Sequence, residues 1–284
     1  MIPPPCPDLA DVGSLGFAFR RLFFAGTATL IFALSSWAND VPREIALPPA
    51  PPRAVSIAAA ANLVYVLEAL NAAYLLQAKE TKLTVATGAS GNLVAQIRKG
   101  APYDVCLSAD LLYPESLITS GDAEAKSLFT FATGRLVLWT TKPGLKLTSL
   151  QAVVQDETVR KLALANPDTA PYGQAARQAL TAAGVWETVQ SKLVMGENIT
   201  QAAQFVETGN AEAGLVALSL VLAPRLKNRG HWIAVPETTY TPIAQGAVLT
   251  RRGTNNQAAQ HYLEFLRSEG ARSILSQYGY LIPR

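Results

Sequence analysis

"TVATGASGNLVAQIRKGAP", residues 84–102, is the stretch that decides the fold. With Leu83 before it, its opening residues alternate apolar and polar side chains, the period-two pattern of a strand with one buried face. Gly88-Ala89-Ser90-Gly91-Asn92 breaks that pattern, and Leu93, Val94 and Ile97 then fall on one face of a helix. A strand running into a helix through a glycine-rich turn is the first half of a strand–helix–strand crossover, the unit of parallel sheets. Ser90, between glycines at that junction, has three readings: a nucleophile, a ligand donor, or the cap of the helix that follows.

The same step recurs on both sides. "RAVSIAAA" (53–60) leads into a helical pattern over 62–79, and "DVCLSAD" (104–110) into one over 114–120. "KLALANP" (161–167) leads into 172–183, "KLVMGEN" (192–198) into 199–208, and "AGLVALS" (213–219) into 220–227. Alternation at this spacing predicts an α/β protein with largely parallel, helix-covered sheets. Two further strand-like runs, 135–142 and 241–250, interrupt the rhythm and read as crossovers between two lobes. Lobe one then comprises 54–132 and 244–284, completed by a long terminal helix over 256–275, and lobe two comprises 133–243.

The chain of 284 residues is 49% hydrophobic and 16% charged, a composition that supports a sizeable ordered core. Its net charge of +3 is spread without a basic stripe, so a nucleic-acid partner is not expected. Near the N-terminus, Arg20-Arg21 precede an apolar segment at 22–34 and then Ser36-Trp37-Ala38. This reads as a secretory signal, residues 1–38, cleaved after Ala38; the alternative, a membrane anchor, has a short apolar core for a bilayer span. Arg20 and Arg21 cancel Asp8 and Asp11, so cleavage leaves the net charge unchanged. Residues 39–53, "NDVPREIALPPAPPR", read as a proline-rich tether. Cys6 lies upstream of the signal core, so cleavage leaves Cys106 without a disulfide partner; in its apolar run it reads as a buried thiol.

In open α/β sheets, ligands gather where strands end and helices begin, because helix N-termini offer unpaired N–H groups and a positive dipole end. The side chains at those junctions are Asn62, Ser90, Tyr172 and Ile199. Three carry neutral hydrogen-bonding groups, none is Lys, Arg or His, and Gly88, Gly91 and Gly173 permit close backbone approach. A desolvated oxyanion can be held by such donors, each worth about 1.5–3 kcal/mol net. The plainer alternative makes Ser90 and Asn62 ordinary N-caps. An enzyme fits less well. A nucleophile elbow needs G-x-S-x-G, whereas "GASGN" ends in Asn92, and the two histidines, His231 and His261, sit in no triad-like pattern. Neither a Walker A loop nor a Cys/His metal cluster occurs in the sequence. Asp104 and Asp110 read as strand-end and turn residues, with Asp110 placed to orient a loop.

From about Ala54 to Tyr280 the sequence resembles the family of periplasmic molybdate-binding proteins of ABC transporters. The pieces that carry the resemblance are "VSIAAAANL", "GASGNLVAQIRKGAPYDVCLSAD", "LALANPDTAPYGQAARQAL", "GVWETVQSKLVMGENITQAAQFVETGNAEAGLV" and "LRSEGARSILSQYGY". The resemblance implies a two-lobed, type II periplasmic-binding fold, each lobe a mixed sheet flanked by helices, with the oxyanion in the cleft. It implies a ligand set of Asn62 and Ser90 from lobe one and Tyr172 and the Ile199 N–H from lobe two, with Ala61 and Asn92 able to add backbone N–H groups. Two departures stand out: Asn62 where many members have serine, and Ala217 where many have tyrosine. Tyr172 is expected to replace the phenol missing at 217. The implied protein is a monomeric periplasmic binding protein without cofactor or catalysis, which captures molybdate, and tungstate, for an inner-membrane ABC permease. Another oxyanion, a small organic acid, or a role as sensor domain for a partner receptor stay open alternatives.

Overall fold

Two five-stranded sheets organise residues 54–283, the part of the chain that the computed structural model describes. The expected signal (1–38) and tether (39–53) lie outside the described residues. The first sheet contains β1 (Ala54–Ala60), β2 (Lys82–Gly88), β3 (Val105–Ser108), β4 (Phe129–Gly134) and β10 (Ile243–Leu249), in the order β2-β1-β3-β10-β4. The second contains β5 (Leu136–Thr140), β6 (Leu162–Ala165), β7 (Leu193–Gly196), β8 (Ala213–Ala217) and β9 (His231–Ala234), in the order β7-β6-β8-β5-β9. Each sheet has the same plan. A central strand, β1 or β6, pairs in parallel with the next two strands of its unit. A strand arriving from the other side of the chain, β10 or β5, then pairs antiparallel.

The helices are α1 (Val64–Gln77), α2 (Ser90–Arg98), α3 (Leu112–Thr119), α4 (Leu150–Gln155), α5 (Pro171–Ala182), α6 (Trp186–Val189), α7 (Ile199–Glu207), α8 (Leu218–Val221), α9 (Gln257–Arg267) and α10 (Glu269–Gln277). They cover both faces of the first sheet, so its inner strands are buried on both sides and read as apolar runs. On one face Ala58, Cys106 and Val248 meet Leu93, Val94 and Ile97 of α2 and Leu117 of α3. On the other, Ile57, Ala59 and Leu107 share a core with Val66, Leu67 and Tyr74 of α1 and Leu263 of α9. Each fully buried Leu, Ile or Val contributes about 1.5–3 kcal/mol. The alanines of β1 add little area individually, but their size lets the helix layers approach the sheet closely.

The structure corrects several element boundaries. β4 has no counterpart in the sequence reading, which set the passage between lobes at 132–133; the first sheet in fact keeps the chain to Gly134, paired with Ile243. The two connections between sheets are therefore Arg135 and 235–242, while 136–140 and 243–249 are ordinary members of one sheet each. The terminal helix is two helices. Ser268 takes an extended conformation and its hydroxyl accepts the Ala271 N–H, capping α10 and stopping α9. The helix expected over 220–227 ends at Val221, because Pro224 disfavours helical backbone at Ala223. α4 follows β5, where no helix was expected.

Candidate functional site

The order of strands in each sheet places four helix starts at one point. The chain leaves β1 through the turn at Ala61–Leu63, leaves β2 into α2, and leaves β6 and β7 into α5 and α7. These are the carboxyl ends of each central strand and of one parallel neighbour, where open α/β sheets present their crevice. Ala60, Ala61, Asn62, Gly88, Ala89, Ser90 and Ala109 from the first sheet's side line a common pocket with Ala170, Pro171, Tyr172, Asn198 and Ile199 from the second. All five expected site residues, Ala61, Asn62, Ser90, Tyr172 and Ile199, thus lie together, and no side chain in the lining is charged. Asn92 is not among the lining residues.

Each residue offers something different. Ser90 opens α2 and is 2% exposed. Its Oγ accepts the Ala109 N–H at 3.1 Å, so the hydroxyl's acceptor side is engaged and its proton is the part left to donate. Neither His231 nor His261 lines the pocket, so Ser90 has no general base there. The Tyr172 phenol is 1% exposed and has no hydrogen-bond partner. Burial, with Tyr280 and Tyr240 adding to it, holds its ionisation well above the usual phenol range, so it stays a neutral donor. Its oxygen lies against Gly134, where any side chain would collide with it. Asn198 caps α7 by accepting the N–H groups of Thr200 and Gln201, at 3.0 and 3.1 Å, which leaves the Ile199 N–H outside the cap.

Asn62 corrects an expectation. It was read as presenting a side-chain donor, but both protons of its amide are engaged elsewhere. Nδ2 donates to Gln245 Oε1 and to Tyr280 Oη, each at 2.8 Å. Gln245 Nε2 in turn donates to Ile243 O at 3.0 Å, which fixes Oε1 as the acceptor and hence the orientation of Asn62. Asn62 Oδ1 is left buried without a partner. Neither amide proton is therefore left for a guest in the pocket. Gln245, Tyr280 and Ser219 were missed altogether, because the contacts that join them to Asn62 span 157 to 218 residues of sequence and leave no local motif.

The cleft is closed by direct bonds between the two sides. Gly91 N–H donates to Thr169 O at 3.0 Å, and Thr200 Oγ1 donates to Ala61 O at 2.8 Å. Ser219 Oγ donates to Asn62 O at 2.9 Å. A Cβ at Gly91 would sit 2.6 Å from the Tyr113 oxygen and 3.1 Å from Thr169 O, so glycine is needed for this approach. The free room inside is about 10 Å³, that of one water and less than a tetrahedral oxyanion requires. Admitting a larger guest takes outward movement of the walls.

The remaining sequence candidates are structural. Asp104, 2% exposed, accepts the Ser56 N–H at 2.8 Å and pairs with Arg252 at 3.0 Å, tying β1 to the turn after β10. Asp110 accepts from Ser108 Oγ and the Tyr113 N–H, bracing the turn between β3 and α3. Burial raises its ionisation, and those two hydrogen bonds act against the shift. Cys106 is 1% exposed, and burial with Asp110 beside it pushes the thiol up to about 12, the inert core position expected. His231 opens β9, and His261 Nδ1 lies 3.4 Å from the Tyr74 hydroxyl on α9's side of the core.

Two helix-flanked sheets that close on an uncharged, donor-lined pocket at the carboxyl ends of their strands define a receptor for a small solute. The chain belongs to the bacterial extracellular solute-binding proteins, whose family model matches residues 55–281. It is similar to the molybdate-binding protein ModA of Azotobacter vinelandii, 41% identical over 228 residues, covering 80% of this chain and 89% of the relative. The molybdate-binding protein ModA of Rhodobacter capsulatus is 39% identical over 237 residues, covering 84% and 91%. In solved structures the chain resembles the Azotobacter vinelandii periplasmic molybdate-binding protein, with a TM-score of 0.77 and 34% identity, covering 81% of this chain and 100% of the other.

Proposed function

We propose that this protein captures molybdate, and tungstate with it, in the periplasm, and delivers the anion to an inner-membrane ABC permease. The observation that carries the reading is the unpartnered phenol of Tyr172, buried at a pocket that also receives the Ser90 hydroxyl and several helix starts. A buried donor without an acceptor costs about 1–3 kcal/mol, and an anionic oxygen removes that cost while gaining a charge-assisted bond. The donors assigned to the anion are the Ser90 and Tyr172 hydroxyls and the backbone N–H groups of Ala61, Asn62 and Ile199. Because they are neutral, the anion's charge is offset by oriented dipoles rather than by a counter-ion. Identity near 40% with two molybdate-binding relatives narrows the solute from oxyanions in general to molybdate.

The two sheets act as lobes that part at Arg135 and 235–242 to admit the anion and close to bury it; the closed form is the one the permease reads. The protein works as a monomer, needs no cofactor and catalyses nothing: Ser90 has its acceptor side occupied and no base beside it. A signal at 1–38 directs export. Discrimination against sulfate rests on size, since both dianions suit the same donors, and hydrogen phosphate is disfavoured by a site rich in donors.

A thermal-shift panel with molybdate, tungstate, sulfate, phosphate and chromate tests this. A ligand at a hundredfold its dissociation constant stabilises the folded state by about 2.7 kcal/mol, several degrees for a domain of this size. Shifts with molybdate and tungstate but not sulfate are expected. No shift with any oxyanion sinks the reading and turns attention to small organic acids or a sensor role.

A further inference from the structure

Asn62 sits in the pocket lining, yet both protons of its side-chain amide are spent in a buried polar network. The network's three other members are each tied to a connection between the sheets. Gln245, 0% exposed, follows the second connection on β10 at the point where pairing with β4 shifts register, an irregularity of the kind that re-aims a side chain. Its Nε2 holds the carbonyls of Ile243 and Ala109, at 3.0 and 3.4 Å. Tyr280 is carried by the terminal segment, which pairs with β4 through Thr133 and Leu281 just before the first connection. Ser219 stands on the second sheet's side, one residue after Leu218, whose N–H donates to Arg135 O at 2.9 Å. All three converge on Asn62. Gln245 and Tyr280 take the two amide protons, while the carbonyl accepts from Ser219 Oγ at 2.9 Å and from Tyr280 Oη at 3.1 Å.

We infer that Gln245, Tyr280 and Ser219 are positioning residues of the anion site, acting through Asn62 to fix the turn at residues 60–63 so that its backbone N–H groups face the pocket. Ser219 belongs to the other lobe, so its bond to the Asn62 carbonyl forms on closure, and the turn is fully set only when the lobes meet. The inference rests on the anion-binding reading. It also assigns Asn62 an unusual place: a lining residue whose side chain works on the protein rather than on the ligand.

A double-mutant cycle on molybdate affinity, by calorimetry, tests it. Asn62→Ala and Tyr280→Phe are each expected to weaken binding about tenfold, and the double variant no more than about threefold beyond either, because both break one network. Losses that multiply to about a hundredfold would assign Asn62 a direct contact and overturn the inference, as would a Tyr280→Phe affinity within twofold of the unaltered protein. Ser219→Ala, which removes a single hydroxyl and leaves the aromatic packing alone, gives a second readout by stopped flow. Its dissociation rate should rise several-fold at an unchanged association rate, since the lost bond belongs to the closed form alone; equal rates for variant and parent refute the coupling. If the unaltered protein binds no molybdate, the functional reading itself has failed, a result distinct from normal binding by the parent with unchanged variants.

Discussion

Replacing Tyr172 with phenylalanine separates a ligand contact from a structural hydrogen bond, because the two make opposite predictions in the absence of ligand. The phenol is 1% exposed and has no partner in the closed form. Removing it therefore takes no hydrogen bond from the protein, and the ring that fills the space beside Gly134 is retained. Without ligand the melting temperature should stay the same or rise, since a desolvated orphan donor has been deleted. With ligand the sign reverses. A hydrogen bond to a charged oxygen is worth about 1.5–3 kcal/mol, which at 1.4 kcal/mol per decade is a loss of roughly 10- to 150-fold in molybdate affinity. Calorimetric titration gives the affinity, and melts with and without molybdate give the two stabilities. An unliganded melting temperature that falls while the affinity stays within twofold would show that the phenol serves the fold, and the assignment of the site would go with it. Because burial raises the phenol's ionisation, the donor persists, and affinity should be flat from pH 7 to about 10 as far as this group is concerned.

Three further outcomes follow from the same geometry. Ser90→Ala removes the donor into the pocket and the acceptor of the Ala109 N–H, so affinity should drop at least tenfold and the unliganded protein should lose about 1–2 kcal/mol; a stable variant with parental affinity would reduce Ser90 to a helix start. Gly91→Ala places a methyl 2.6 Å from the Tyr113 oxygen and near Thr169 O across the cleft, so closure is blocked: solution scattering should show a more open liganded form and affinity should fall more than tenfold, with unliganded stability little changed. Cys106 should resist thiol reagents at pH 8 until the protein unfolds, with ligand slowing the labelling. Because its pKa rises from 9.0 to about 12 on folding, the folded state holds the proton more tightly, and this group's contribution to stability is lost as pH rises through that window; increasing stability above pH 9 would contradict it.

The two lobes were legible because their strands obey local rules. "KLTVATGASGN" shows a period-two run, a glycine break and a helix start within eleven residues, and the same grammar recurs at "KLALANP" and "KLVMGEN". What local rules do not carry is the place where a strand ends when no helix follows, and so β4 went unseen. Its residues "FTFATG" become a strand only because β10 returns from more than a hundred residues away to pair with them. The split of the last helix at Ser268 was written in the sequence, in a serine followed three residues later by the amide it caps, but the flanking apolar periodicity outweighed it. The site divides in the same way. That Ser90, Tyr172 and Ile199 line one pocket was legible because helix starts are local features, and parallel strands bring their helix starts to the same end of a sheet.

The side-chain role of Asn62 was misread for the opposite reason. An asparagine at a helix start looks like a donor or a cap, and only the positions of Gln245 and Tyr280 reveal that both its protons are engaged. This bears on the substitution at Ala217, at the end of β8 and fully buried, where tyrosine was expected from the family pattern. A phenol attached at 217 would come from the second sheet's central region, whereas Tyr172 comes from the start of α5, yet Tyr172 still brings its oxygen to Gly134 at the first connection between the sheets. If the pocket needs one protonated phenol from the second lobe, the strand or helix that supplies it can change so long as a glycine stands opposite, as Gly134 does for Tyr172. Placing tyrosine at 217 in a Tyr172→Phe background should therefore recover molybdate affinity lost by the single variant. A double variant no better than Tyr172→Phe would mean that the two positions do not share one role, and that the phenol of Tyr172 reaches the ligand by a route of its own.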